Sequence, residues 1–168
     1  MPPTGEGSSA YVLDACCAIN LDNAGVLAVA ARVVSLKFIG PVALGEVRQA
    51  CLAPLLDSGD VELLDDSAVD AAQFIGAMTR WGLGLGETEC ILFAEQFGHG
   101  VATDDRKART VVTERLGRSR LIGSIGVLRR MAVEKVLTWK TAYDAYLAIL
   151  KGGAFLPELT PHQFRVLQ

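Results

Sequence analysis

The chain has 168 residues, a length that suits one domain with a hydrophobic core of its own. Hydrophobic residues make up 51% of the chain and charged residues 21%, which excludes a disordered or fibrous protein. The net charge of −3 argues against a protein that coats nucleic acid through bulk positive charge. A net charge of this size is compatible with local basic patches.

Residues 1–9 are rich in Pro, Gly and Ser, and we expect a flexible tail there without the apolar segment of a signal peptide. No apolar run approaches the roughly 20 residues that span a bilayer, so no membrane segment is expected. Cys16, Cys17, Cys51 and Cys90 form no CxxC pair, which disfavours zinc. Their apolar surroundings predict small buried side chains in a reduced, cytoplasmic protein.

The predicted elements alternate between short apolar strands and helices. In chain order they are a strand at 10–13, helices at 16–20, 24–33 and 42–52, a strand at 61–64, helices at 68–81 and 87–97, a strand at 100–103, a helix at 106–116, a strand at 120–122, a helix at 124–133 capped by Ser124, and a helix from Thr138 or Thr141 to Gly152. This alternation predicts an α/β fold with a parallel central sheet and helices on both faces. We assign residues 10–156 to this domain and residues 157–168 to a C-terminal extension, with the apolar segments 143–150 and 154–156 packing on the core or on a partner.

Acidic residues follow two of the predicted strands at the point where each strand ends. Asp14 follows the first strand, and Asp104 and Asp105 follow the strand at 100–103. Because the carboxyl ends of parallel strands share one edge of the sheet, these acids are expected to meet in space.

Two glutamates extend the candidate acidic set. Glu46 is predicted inside the helix at 42–52, on a small and apolar stripe where a carboxylate is costly unless it is paired or binds a metal. The alternative for Glu46 is an ordinary glutamate that faces solvent. Glu87 opens the helix at 87–97, and Glu89 lies about 200° further around that helix. Glu89 is therefore predicted to be a solvated or salt-bridged side chain and not a ligand.

The candidate acids fit hard divalent cations. Oxygen donors without histidine or thiolate favour Mg²⁺ or Mn²⁺ over zinc, and such ions activate water in phosphodiester cleavage. The structural alternative for Asp14, Glu87, Asp104 and Asp105 is helix capping, because each of them lies at a predicted helix start.

Basic residues are concentrated in the segment 104–135, which carries nine of them against four acids. This segment is expected to bind phosphates beside the acidic pocket; the alternative is a set of solvated helix faces with intrahelical pairs. Arg106 and Arg109 have a second possible role, which is to neutralise the acids when no metal is bound.

Four segments together resemble the motifs of a known family. They are YVLDACCAINL at 11–21, LGETECILFA at 85–94, which is similar to an "LGxGE…A" motif, TDDRKAR at 103–109, which is similar to "DDxxAR", and IGSIGVL at 122–128, which is similar to a "GT-G-L" stretch. Their order along residues 11–150 resembles PIN domains, and in particular the VapC-like toxin ribonucleases. Cys16 stands where that family often has Ser or Thr.

The resemblance implies a three-layer α/β fold and a Mg²⁺- or Mn²⁺-dependent endoribonuclease, often dimeric and held inactive by a cognate antitoxin. It also implies site residues: Asp14, Glu46 and Glu87 as the first three acids, Asp105 or the adjacent Asp104 as the fourth, and Arg106, Arg109 and Ser124 on the substrate side. We therefore expect a cytoplasmic ribonuclease, the toxin of a type II toxin–antitoxin pair. The alternatives are a PIN-fold nuclease that processes RNA or DNA, and a PIN-fold nucleic-acid-binding module with little catalysis.

Overall fold

A computed structural model describes residues 10–166, so the tail predicted at residues 1–9 lies outside the described part of the chain. The strands are β1 (Tyr11–Leu13), β2 (Phe38–Ile39), β3 (Glu62–Leu63), β4 (Gly100–Ala102) and β5 (Leu121–Ile122). The helices are α1 (Ala15–Asn23), α2 (Leu27–Val34), α3 (Pro41–Glu46), α4 (Gln49–Ser58), α5 (Ala71–Trp81), α6 (Leu85–Phe97), α7 (Arg106–Leu116), α8 (Ser124–Val133), α9 (Trp139–Lys151) and α10 (Pro161–Val166).

The five strands form one parallel sheet in the order β3-β2-β1-β4-β5. Helices flank this sheet, so the predicted three-layer α/β class is confirmed. The chain runs outward from β1 through β2 to β3 and then crosses to the other side of β1 for β4 and β5. The strand order thus reverses between β1 and β4, and in open α/β sheets ligands bind in the crevice beyond the carboxyl ends of such strands.

The core lies around β1, whose three residues are all buried. Val12 pairs with Phe38 of β2 and with Val101 of β4 at the centre of the sheet. A fully buried run, without alternation of polar and apolar residues, is what a parallel strand covered on both faces requires.

A second apolar cluster holds the C-terminal helices on the body of the protein. Tyr146 and Ile149 of α9 pack with Phe164 of α10 and with Leu128 of α8, and all four side chains are fully buried. The apolar segment predicted at 143–150 therefore contributes to the interior. No helix of the described residues combines the length and the apolar character needed to cross a membrane.

Two predictions about the segment between β1 and β3 are wrong. Sequence patterns do not indicate β2, because a two-residue strand is too short to show a period. The continuous helix predicted at 42–52 is two helices, with Val47 between them in an extended conformation (φ −95°, ψ 145°). The break buries Val47 in the main core, and it makes Glu46 the last residue of α3 instead of an interior one.

Two predicted helix starts also need correction. The helix predicted from residue 68 begins at Ala71, because the Asp70 carboxylate accepts the N–H of Gln73 and caps α5 there. Ser124 was predicted to cap α8, but the cap position is Gly123 and the Ser124 hydroxyl donates to a carboxylate elsewhere. Thr138 caps α9, as one of the two predicted alternatives states.

Candidate active site

Asp14 lies at the carboxyl end of β1 and is only 3% exposed. Its Oδ1 accepts a 2.9 Å hydrogen bond from the N–H of Ala15 at the start of α1. Its Oδ2 accepts from the hydroxyl of Thr103 (2.6 Å) and from the thiol of Cys16 (3.0 Å). The capping role expected as an alternative is therefore real, and the three donors also hold the carboxylate in one orientation.

Thr103 connects the carboxyl ends of the two neighbouring strands. Its buried hydroxyl donates to Asp14 and accepts from the N–H of Asp105 at 3.2 Å. The guanidinium of Arg109 donates to the Thr103 carbonyl at 3.0 Å. Sequence reasoning did not assign a role to Thr103, although its place in a Thr-x-Asp pattern was a signal.

Cys16 is half-buried beside the same carboxylate, so it is not the inert core side chain predicted for all four cysteines. Burial and the negative charge of Asp14 raise the pKa of its thiol to about 12. A thiol that keeps its proton can donate to Asp14, which is the contact that a Ser or Thr hydroxyl would make in this place.

The Asp104 carboxylate is held by donors from two helices. Asn20 Nδ2 of α1 donates to Oδ2 at 2.7 Å, the N–H of Ser124 donates to Oδ1 at 2.8 Å, and the Ser124 hydroxyl donates to Oδ2. A Cβ added to Gly123 would lie 2.7 Å from Oδ1 of Asp104, so only glycine allows this close approach. Ser124 is fully buried, and its position favours support of Asp104 over direct contact with a substrate.

Asp105 occupies a different environment from its neighbour. Its Oδ1 accepts the N–H of Ala108 at 2.7 Å and caps α7. Its charge is also one of the causes that raise the pKa of Glu87, whereas Asp104 is not among them. Asp105 is therefore close enough to Glu87 for its charge to act there, whereas the Asp104 carboxylate is held by Asn20 and Ser124.

Glu87 lies in the first turn of α6, half-buried, with its carboxylate folded back over Gly84. Burial is the largest cause of its raised pKa, and the negative charges of Asp14, Asp105 and Glu46 raise it further. The structure therefore brings Asp14, Asp105 and Glu46 close enough to Glu87 for their charges to act on it.

Glu46 ends α3 and is exposed. A Cβ added to Gly86 of α6 would lie 3.5 Å from its Oε1, so this carboxylate sits against the first turn of the helix that carries Glu87. The predicted apolar environment of Glu46 is wrong, because the end of α3 turns the side chain toward the open side of the site.

Glu89 is the acid that sequence reasoning misjudged most. The side chain was predicted to be solvated or salt-bridged, but it is 4% exposed and accepts hydrogen bonds from the N–H groups of Val42 and Ala43. It points away from Glu87, as predicted, and burial raises its pKa. No short-range sequence signal indicates this contact, because 46 or more positions separate the partners.

The basic residues beside the acids are engaged with backbone or solvent. Arg106 is exposed at the start of α7, Lys107 donates to the carbonyl of Gly82 at 2.7 Å, and Arg109 donates to that of Thr103. Among residues 10–166, no Lys or Arg forms an ion pair with any of the four clustered acids. The predicted neutralisation by Arg106 and Arg109 is therefore not made through ion pairs in this part of the chain.

The donor set fits a hydrated divalent cation. Within the described residues, no three His, Cys, Asp or Glu side chains lie close enough to hold a metal ion together. Mg²⁺ usually keeps several waters and takes only one or two carboxylates directly, so wider spacing of the acids is compatible with it. Oδ1 of Asp14 accepts one hydrogen bond and keeps a lone pair that can bind a cation. Oδ2 of Asp105, the oxygen that does not accept from Ala108, is a second suitable ligand.

A parallel α/β sheet that places carboxylates at its reversal point offers oxygen donors for a hard divalent cation. A family model described as a PIN domain matches residues 10–162, and the chain belongs to this family. PIN domains are generally nucleases, so membership favours a nuclease. No curated protein and no solved structure matches the chain.

Proposed function

We propose that this PIN domain is a Mg²⁺- or Mn²⁺-dependent endoribonuclease in which Asp14, Glu46, Glu87 and Asp105 hold the cation, one or two of them directly and the others through its water molecules. The observation that carries the proposal is the link between Asp14 and Asp105 through the buried Thr103 hydroxyl, at the point where the strand order reverses. The raised pKa of Glu87, to which the negative charges of Asp14, Asp105 and Glu46 contribute, supports it. Negative charges that repel each other at a sheet edge are a favourable place for a divalent cation.

Two of the four acids are oriented by hydrogen bonds within the chain. Asp14 is oriented by Thr103 and Ala15, and Asp105 is oriented by Ala108. Because ligand-orienting contacts of this kind tune metal affinity, they belong to the proposed machinery. Asp104 supports the site from behind, through its bonds to α1 and α8.

In the proposed reaction the acids bind the cation and the basic residues contact the phosphates of the substrate. When bound, a divalent cation supplies the charge that polarises a phosphodiester and lowers the pKa of water. Burial and the neighbouring negative charges disfavour the ionised form of Glu87, and a bound cation would offset that cost. Arg106, exposed at the start of α7, is placed to contact the phosphates of a strand entering from that side.

We also propose RNA as the substrate and a biological role as the toxin of a type II toxin–antitoxin pair, in the cytoplasm, as a homodimer with a cognate antitoxin. These statements are supported by the similarity of the four motifs to VapC-like toxins. An antitoxin that inserts an arginine among the acids would supply the ion pair that no Lys or Arg of residues 10–166 forms with them.

Cleavage of a mixed panel of RNA and DNA with Mg²⁺ or Mn²⁺ tests the proposal, with native protein compared with Asp14→Asn. The matched control is Asp65→Asn, because Asp65 is an exposed aspartate that caps a turn and is not one of the candidate acids. We expect metal-dependent RNA cleavage by the native and control proteins and none by Asp14→Asn. Cleavage of DNA alone would favour a processing nuclease acting on DNA, and absence of any cleavage would favour the binding module.

A further inference from the structure

Glu89 and Glu46 are connected by the short helix α3. The Glu89 carboxylate on α6 accepts from the N–H of Val42 at 3.1 Å and from that of Ala43 at 3.4 Å, which are the second and third residues of α3. Glu46 is the last residue of the same helix. One end of α3 is therefore fastened to α6, and the other end carries a candidate metal-binding acid.

The fit between Glu89 and the start of α3 is tight. A Cβ added to Gly40, the residue that precedes α3, would collide with Oε2 of Glu89. Pro41 at the first helical position has no N–H, so the Glu89 carboxylate satisfies two of the N–H groups that the start of α3 leaves without an intrahelical acceptor. A carboxylate at 4% exposure is costly to bury, and these contacts account for its place there.

The far end of α3 presents Glu46 to solvent, and the next residue, Val47, is buried in the main core. Glu46 is exposed, the chain leaves the helix at Val47, and the Glu46 carboxylate lies near Gly86 of α6. Since α3 has only six residues, a shift at its start moves Glu46 by a comparable amount. The separation of Glu46 from Glu87 across the site thus depends on how α3 is fastened to α6.

We propose that Glu89 is a positioning residue that sets the place of the Glu46 carboxylate through the hydrogen bonds it accepts from Val42 and Ala43. The inference rests on the proposed metal-dependent function and adds to it a residue that does not bind the cation. In α6, Glu87 faces the cation and Glu89, on another side of the helix, holds the segment that brings Glu46.

Binding of Mn²⁺ alone, followed by calorimetry or electron paramagnetic resonance without nucleic acid, tests this role. Glu89→Gln keeps the length of the side chain and one acceptor oxygen, and we expect nearly native affinity. Glu89→Asp keeps the charge, but its side chain is one methylene too short to reach α3. We expect it to weaken Mn²⁺ binding about 10-fold, which is the lower end of the range seen when a residue that supports a metal ligand is changed. A ligand role for Glu89 predicts the opposite order, with Asp better than Gln, and that order would overturn the proposal.

A double-mutant cycle with Glu46→Gln separates positioning from general destabilisation. If Glu89 acts through Glu46, Glu89→Asp should weaken Mn²⁺ binding in the native background and have little further effect beside Glu46→Gln. Additive losses in the cycle overturn the proposal. Asp70→Ala is the matched control, since it removes the carboxylate cap of α5, a helix without a candidate acid, and should leave Mn²⁺ binding unchanged.

Mn²⁺ binding by the native protein distinguishes failure of the proposed metal-dependent function from failure of the positioning role of Glu89. If native protein does not bind Mn²⁺, the proposed function fails, and the positioning role falls with it. If native protein binds Mn²⁺ and the cycle shows no coupling between positions 46 and 89, the positioning role alone is wrong. If Glu89→Asp does not fold, hydrogen exchange at the Val42 and Ala43 amides is measured in Glu89→Gln. Loss of the protection of these amides from exchange, with Mn²⁺ affinity unchanged, would contradict the proposal.

Discussion

The hydroxyl of Thr103 donates a 2.6 Å hydrogen bond to Oδ2 of Asp14, 89 positions away in the chain. The same hydroxyl accepts the N–H of Asp105. One buried side chain thus links an acid at the end of β1 to the acid at the start of α7, and it does so at the point where the strand order reverses.

Thr103→Val removes this link with almost no change of shape. The Asp14 carboxylate loses a donor and the Asp105 N–H loses its acceptor, so we expect a loss of about 2 kcal/mol in the free energy of unfolding. Mn²⁺ affinity should fall about 10-fold, as for other residues that orient metal ligands. Urea unfolding and Mn²⁺ titration measure the two effects. Thr103→Ser keeps the hydroxyl and should bind Mn²⁺ like the native protein; equal losses in Val and Ser would contradict the proposed link.

The adjacent aspartates should respond differently to the same isosteric change. Asp104→Asn replaces one of the two acceptor oxygens by an N–H₂ group, which cannot accept the hydrogen bonds that Asn20 and Ser124 donate. We therefore expect a loss of about 2 kcal/mol in the free energy of unfolding. Asp105→Asn keeps a good helix cap, so its stability should stay near native while RNA cleavage is lost. Urea unfolding and cleavage of the same RNA compare the pair. An active Asp105→Asn beside a stable but inactive Asp104→Asn would reverse the assignment.

Removing the charge of Glu87 should stabilise the metal-free protein. Its pKa is raised in the folded state by burial and by like charges, so the folded state binds the proton more tightly than the unfolded state. Stability then falls as the pH rises above the usual value of 4.5 through the raised pKa. We expect Glu87→Gln to melt at a higher temperature than native protein without metal and to lose cleavage.

The control for Glu87 is Glu114→Gln, because Glu114 is an exposed glutamate on α7. Its melting temperature and activity should be close to those of the native protein. Added Mn²⁺ should raise the melting temperature of the native and control proteins but not that of Glu87→Gln. A metal-free Glu87→Gln that is less stable than native protein would show that Glu87 is a structural residue.

His99 gives the protein an acid-sensitive contact away from the site. Its ring stacks on Phe38 at 4.5 Å, and burial, with a smaller contribution from the charge of Arg120, lowers its pKa below the usual 6.5. The unfolded chain therefore takes up the proton first, and stability falls as the pH drops from about 6.5 through the lowered pKa. His99→Phe keeps an aromatic ring without the titration, and its melting temperature should fall less between about pH 7.5 and about pH 5.5. Identical falls in both proteins would exclude this contribution.

The parts of the fold that follow from local pattern could be predicted from sequence. Tyr11–Leu13 is apolar and buried on both faces, so the central strand and the acid after it are evident from the residues themselves. The helix Arg106–Leu116 begins after a capping acid and is followed by Gly117, and both bounds are predicted and confirmed. These signals depend only on neighbours in the chain.

The parts that depend on distant contacts could not be predicted. Phe38–Ile39 is a strand because it pairs with β1 and β3 and not because of its own pattern. The end of α3 at Glu46 depends on burial of Val47, and the role of Glu89 depends on the position of a helix 46 or more residues before it. Motif comparison predicts which acids form the set, whereas the contacts that support those acids are evident only from the structure.

The location of Mn²⁺ in crystals, found by anomalous diffraction at the manganese absorption edge, tests the central claim most directly. We expect an anomalous peak for a Mn²⁺ ion bound to Asp14 or Asp105, on the side that Glu46 and Glu87 face. The peak should be absent in Asp14→Asn. A peak only at another acidic pair, such as Asp65 and Asp66, or no peak at millimolar Mn²⁺, would contradict a metal site at the junction of β1 and β4.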